Sequence, residues 1–149
     1  MSLKEKIKDD IKQAMRDKNE SRLGTLRMLS AAIQRREVDE RIQLDDAQVI
    51  AVIEKLVKQG RESIEQYVKG GRQELADKES SEIAVFQGYL PPQLTEAEID
   101  KLVAETIAAT GASSVKDMGK VMGVLKPKLQ GRADMGQVGG KVKNKLGAA

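Results

Sequence analysis

The sequence predicts an all-α protein, and three observations carry that prediction. Apolar residues recur at three- and four-residue spacing through successive segments of the chain, the period of one helix face. No period-2 run bounded by turn residues occurs anywhere in the 149 residues, and no internal repeat is present. The only aromatic residues are Tyr67, Phe86 and Tyr89, so the core must be built from Leu, Ile, Val, Met and Ala, which suits packed helices. We expect an elongated helical body of about four helices over residues 1–90, a hinge at 91–94, and a small three-helix basic tail domain over 95–149.

Ser2-Leu3-Lys4-Glu5 is a capping box, in which the serine hydroxyl accepts from the third amide and Glu5 reaches back to the cap. Leu3, Ile7, Ile11, Ala14 and Met15 follow at helical spacing, giving a first helix to about Asp17. Asn19-Glu20-Ser21 breaks the pattern. Leu23, Leu26, Leu29 and Ile33 restart it in a longer second helix that fades among Glu37, Asp39 and Glu40.

Asp45 to Gln48 reads as another N-terminal box, followed by Val49, Ile50, Ile53, Leu56, Val57, Gly60, Ile64 and Val68 until Gly70-Gly71 supplies a left-handed stop. At 1.5 Å per residue this third helix spans about 35 Å. A fourth helix runs from Arg72 to Tyr89, with Leu75, Ile83, Phe86 and Leu90 apolar, and Pro91-Pro92 ends it because proline disfavours the α conformation in the residue before it.

Thr95-Glu96-Ala97-Glu98 caps a fifth helix carried by Ile99, Leu102, Val103 and Ile107 and ended near Gly111. Ser114 caps a short sixth with Met118, Val121, Met122 and Leu125, which is expected to stop at Lys126-Pro127. Asp134 caps a seventh with Val138, Val142 and Leu146.

Charge is distributed unevenly. Residues 1–41 carry +3, residues 42–115 carry −6, and the stretch from Lys116 onward carries +6, twice the formal net charge of the whole chain. Cysteine and histidine are both absent, which removes disulfides, thiolate nucleophiles, Cys or His metal ligands and the commonest general base. No apolar run approaches the roughly 20 residues of a membrane span, and Met1 to Lys6 lack a signal peptide's apolar region. A soluble cytoplasmic protein with no membrane partner is expected.

Taken together, the segments resemble the GatB/YqeY family, whose stand-alone members match the C-terminal region of the B subunit of tRNA-dependent amidotransferases. The residues carrying the resemblance are Thr25 to Leu29 with Ala31-Ala32-Ile33, Gly71 to Leu75 with Glu79 and Glu82, and Tyr89 to Leu94. In the tail they are Gly119 to Met122, Lys128, Gly131 to Asp134 and Val138, so the likeness spans essentially the whole chain. It implies a helical body followed by a three-helix tail that contacts tRNA, with an amidotransferase or another aminoacyl-tRNA enzyme as a possible partner. The kinase-like domain of the amidotransferase subunit has no counterpart here. Met135 stands where that subunit's tail often has proline, which should loosen the start of the last helix without abolishing it, because Asp134 still caps.

Lys116 and Lys120 share a face of the sixth helix, and Lys126, Lys128 and Arg132 crowd its connection to the seventh, so these cations can track a phosphate backbone. The alternative is a solvated face. On the seventh helix the 100° step places Val138, Val142 and Leu146 on one side and Gly136, Gly140, Lys143 and Gly147 on the other. Each helical glycine costs about 1 kcal/mol against alanine. Two readings of those glycines stand: a bare surface for close approach of RNA beside Lys143 and Lys141, or close packing against another helix. Arg22, Arg27, Arg35 and Arg36 have two readings, an extension of the polyanion surface or helical ion pairs with Glu37 and Glu40, and the ion pairs are favoured. Tyr67 and Tyr89 are read as packing residues, not platforms for base stacking.

No catalytic residues, metal ligands or cofactor site emerge. Glutamine-dependent amide transfer needs a cysteine, or a Ser-Ser-Lys set in a Gly/Ser-rich loop, and Ser113-Ser114 has neither context. No Walker-type loop is present. Glu79 and Glu82, at i and i+3, are read as a solvated pair too sparse to hold a divalent ion. The first function class is therefore a tRNA-binding accessory module, tRNA or other structured RNA being the partner. The second is an adaptor whose tail docks an acidic protein. The third is the amidotransferase or carbon–nitrogen ligase activity, with glutamine as amido donor, that the resemblance implies.

Overall fold

The computed structural model describes residues 1–147. It is all-α, with seven helices and no strand among the described residues: α1 (Leu3–Arg16), α2 (Glu20–Glu40), α3 (Asp46–Lys69), α4 (Gln73–Gln87), α5 (Glu96–Thr110), α6 (Met118–Leu129) and α7 (Met135–Gly147), with one 3-10 turn at Val115–Asp117. The chain divides into two compact units, Met1–Leu90 and Pro91–Ala149.

In the first unit, α1 and α2 form an antiparallel hairpin. The capping box at Ser2 and Glu5 starts α1, and Asn19 starts α2 by accepting from the Arg22 amide at 3.1 Å. The Asn19-Glu20-Ser21 break is thus the cap of α2 itself, and the helix begins before Leu23 because the side-chain bond satisfies an amide that the apolar pattern cannot report. The Glu37 carboxylate ties three segments together, accepting from Lys4 Nζ at 2.5 Å and from the Leu44 amide at 2.9 Å. Lys4 first, then the Leu44 amide, holds Glu37 below the ordinary carboxylate range. The Leu3 amide donates to Asp46 Oδ1, fixing the start of α1 to the start of α3.

α3 opens on the Asp45 and Gln48 capping box, and its long apolar stripe packs on α4. α4 is shorter than the Arg72 to Tyr89 span expected. It ends at Gly88, where the Tyr89 and Leu90 amides turn to the carbonyls of Phe86 and Gln87 in tighter i to i+3 bonds. Those bonds close the last turn before Pro91 can forbid it. The core of this unit joins Ile7, Leu26, Leu29, Val49, Ile53, Phe86 and Tyr89 with their neighbours. Tyr89 is 7% exposed and donates its hydroxyl proton to Asp10 Oδ2 at 2.6 Å, so it packs as expected. Burial, then that bond, raises its phenol well above the ordinary value.

Glu82 corrects an expectation. It is only 9% exposed instead of solvated, because α4 buries that position beside Ile83 and Phe86 of the same helix, and burial, then the charge of Glu79, raises its carboxyl above the ordinary value. Arg36 pairs with Glu40 and Arg22 lies 3.9 Å from Asp10, whereas Arg27 and Arg35 form no ion pair among the described residues. The helical ion-pair reading therefore holds for Arg36 with Glu40 and fails for Arg27 and Arg35.

In the second unit, Thr95 and Glu98 cap α5 reciprocally, and Gly111 ends it at φ +68, a left-handed conformation that favours glycine. Asp134 Oδ1 accepts from the Gly136 amide at 2.8 Å, which starts α7 with Met135 in its first turn. Helix α6 does not stop at Lys126-Pro127. It continues to Leu129, with Pro127 inside it on the exposed side. Leu125 and Leu129, four apart, are both fully buried, and the Gln130 amide still reaches the Lys126 carbonyl at 3.0 Å. Burying Leu129 outweighs the single bond that proline removes so near a helix end. Residues 92–94 are bound to the α6–α7 connection of their own unit: the Leu94 amide donates to the Arg132 carbonyl at 2.9 Å, Gln93 Nε2 to the Gly131 carbonyl, and Arg132 Nε to the Pro92 carbonyl. Ile99, Val103, Val121, Leu125, Leu129, Val138, Val142 and Leu146 form a second core.

Candidate polyanion-binding face

The second core decides which sides of α6 and α7 face outward. Val121, Leu125 and Leu129 on α6, and Val138, Val142 and Leu146 on α7, are buried. The 100° step then turns Gly119, Lys120, Gly123 and Lys126 outward on α6, and Gly136, Gly140 and Lys143 outward on α7. All seven are exposed.

The glycines separate cleanly. A Cβ at Gly119, Gly123 or Gly140 would meet nothing within 4 Å, and one at Gly136 would meet only Asp134 Oδ1, its own cap, at 3.2 Å. Close packing against another helix therefore does not explain Gly136 and Gly140 among the described residues. The glycine facing a neighbouring helix is Gly139, 3.6 Å from Met118 Cε, and Gly147 lies near Val115. The sequence reading grouped Gly147 with the bare face. The 3-10 turn before α6 borders the end of α7, a neighbourhood that a single helical wheel cannot display.

The cations divide as well. Lys116, Lys120, Lys126, Lys128 and Lys143 are exposed and form no ion pair among the described residues. Lys145, counted in the charge of the tail but not among the expected RNA-binding residues, is in the same condition.

Two members of the expected set serve the fold. Lys141 Nζ donates to Asp100 Oδ1 at 2.7 Å and to Glu96 Oε1 at 3.2 Å. The Asp100 bond first, then Glu96, raises its pKa above the ordinary lysine value. Its charge is compensated by α5. Arg132, half-buried, spends its Nε on the Pro92 carbonyl and its own carbonyl on Leu94. Asp117 accepts from the Ser113 and Ser114 amides, which, with a smaller contribution from the Lys120 charge, hold it below the ordinary carboxylate range. Ser113 and Ser114 thus take part in a turn before α6.

What these surfaces offer chemically is five exposed lysines that form no ion pair among the described residues, beside helical glycines open to solvent. Such a surface can neutralise phosphates and admit a sugar-phosphate backbone close to the helix. Among the described residues, no three Asp or Glu side chains gather in a metal-binding group, and no helix is long and apolar enough to cross a membrane.

A family model described as Yqey-like protein matches residues 4–146. The chain belongs to this family. Curated relatives include the altered inheritance of mitochondria protein 41 of Pyrenophora tritici-repentis, 32% identical over 96% of this chain and 80% of the relative. The proteins of that name from Lachancea thermotolerans and Eremothecium gossypii are 36% and 33% identical, over 68% and 80% of this chain. The chain spans only 56% and 62% of those two relatives. These relatives are named as mitochondrial proteins. The YqeY match takes in both helical units, with the exposed lysines and open glycines of the second among the residues matched.

Proposed function

We propose that this YqeY-like protein is a tRNA-binding accessory module that holds structured RNA by its backbone. The observation that carries the reading is the set of exposed lysines that form no ion pair among the described residues, Lys116, Lys120, Lys126, Lys128 and Lys143, with glycine surfaces open to solvent on the same helices. A solvated helix face has no use for bare glycines that each cost about 1 kcal/mol. A face built to read unstacked bases would carry aromatics, and the second unit has none. The resemblance to the tail of the amidotransferase B subunit agrees with tRNA as the RNA. A place beside an amidotransferase or another aminoacyl-tRNA enzyme follows from that likeness, in the cytoplasm or in the organelle its relatives are named for. The chain's part in such a process is binding, by the exposed lysines and open glycines of its second unit.

Gel-shift titration with total tRNA at several salt concentrations tests this reading. Three to five phosphate contacts give a slope of log affinity against log salt of about −3 to −4.5. Lys120→Ala with Lys126→Ala should weaken binding to all tRNAs alike and flatten the slope by up to about two units. No salt-dependent association at low ionic strength, or association left unchanged by that double substitution, overturns it. Binding of an acidic protein in place of tRNA would favour the adaptor class instead.

A further inference from the structure

Helix α2 is apolar on two sides. One side buries Leu26, Leu29 and Ile33 in the first core. The other carries Gly24, Met28, Ala31, Arg35 and Val38, all exposed, at spacings of four, three, four and three. That is the seam of a helix that packs against another helix over its whole length. Met28 is 47% exposed and Val38 68%, and a Cβ at Gly24 would meet nothing within 4 Å. The seam has no partner among the described residues.

We propose that this face of α2 docks an acidic amphipathic helix of another protein. Charge selects that occupant. Arg35 lies in the seam and Arg27 flanks it. Both are exposed, and among the described residues neither forms an ion pair and the only side-chain bond of Arg27 is a long one to the Met15 sulfur. A second copy laid antiparallel on the same seam would bring four such guanidiniums together around Ala31 with no acid between them, which costs affinity. A partner with Glu or Asp beside its apolar stripe supplies the missing charge. The open Gly24 and the small Ala31 leave holes for its larger side chains, while Met28 adapts its shape to the contact. Exposed Met28 and Val38 have no role in holding a phosphate backbone, which separates this surface from the lysine face of the second unit.

The test uses the full-length protein, 15N-labelled, and two synthetic helical peptides as long as α2. Both have leucine at four-three spacing; one is flanked by Glu and the other by Lys. The Glu peptide should shift amides along residues 24–38. Arg27→Glu with Arg35→Glu should weaken it by about tenfold or more and transfer the preference to the Lys peptide. Val38→Asp should weaken the Glu peptide as well, with unchanged circular dichroism showing that each variant is folded. The proposal is overturned if neither peptide shifts α2, if both bind alike, or if tRNA shifts the same amides more strongly than the peptide. Sedimentation showing self-association that Val38→Asp abolishes would also overturn it, by making a second copy the occupant.

Discussion

Gly60 sets how closely α3 and α4 approach. It is buried, and a Cβ at that position would lie 2.9 Å from Ile83 Cγ1 and 3.4 Å from Glu79 Oε2. Gly60→Ala would gain up to about 1 kcal/mol of helix propensity, yet overpacking a core contact costs roughly 1–3 kcal/mol. We expect a net loss of about 1–2 kcal/mol in urea unfolding. One turn away, Glu82 carries a raised pKa, so the folded state binds its proton more tightly than the unfolded chain does. Stability then falls as pH rises upward from the ordinary value of 4.5. Glu82→Gln should melt above the parent at pH 7, and the gap should close once the pH drops below that value. In the second unit, Lys141→Ala should weaken tRNA binding less than Lys143→Ala, because Asp100 and Glu96 already hold the Lys141 charge. Asp100→Asn with Glu96→Gln should release that charge and tighten binding, read by the same gel shift.

Among the helices, the local signals were readable and the distant ones were not. The boxes at Ser2, Asp45 and Thr95 and the cap at Asp134 each lie within four residues of their partners, and all form as their spacing indicates. The Lys141 bond to Asp100 spans 41 residues and that of Arg132 to Pro92 spans 40. No helical wheel relates positions on different helices, so both side chains read as part of the free cationic set. Pro127 misled in the opposite way, since a local rule was applied where tertiary burial wins. Leu129, beyond the proline, is fully buried. Leu129→Ala should therefore cost about 2–5 kcal/mol. A residue past the end of a shorter, exposed helix would lose far less.

At the scale of the molecule, the two cores share no residue and the charge is segregated by segment. The aliphatic make-up of both cores was legible from composition. The emptiness around Gly140 was not, because composition cannot say whether a glycine faces a neighbour or solvent. The same scarcity of aromatics has an optical consequence. Tyr67, Phe86 and Tyr89 all belong to the first unit, and there is no tryptophan. Intrinsic fluorescence therefore watches only the first unit melt, while far-ultraviolet ellipticity watches every helix. A single denaturation followed by both signals resolves the two units without labels, and in the Leu129→Ala protein the ellipticity curve should develop an early step that the tyrosines do not see.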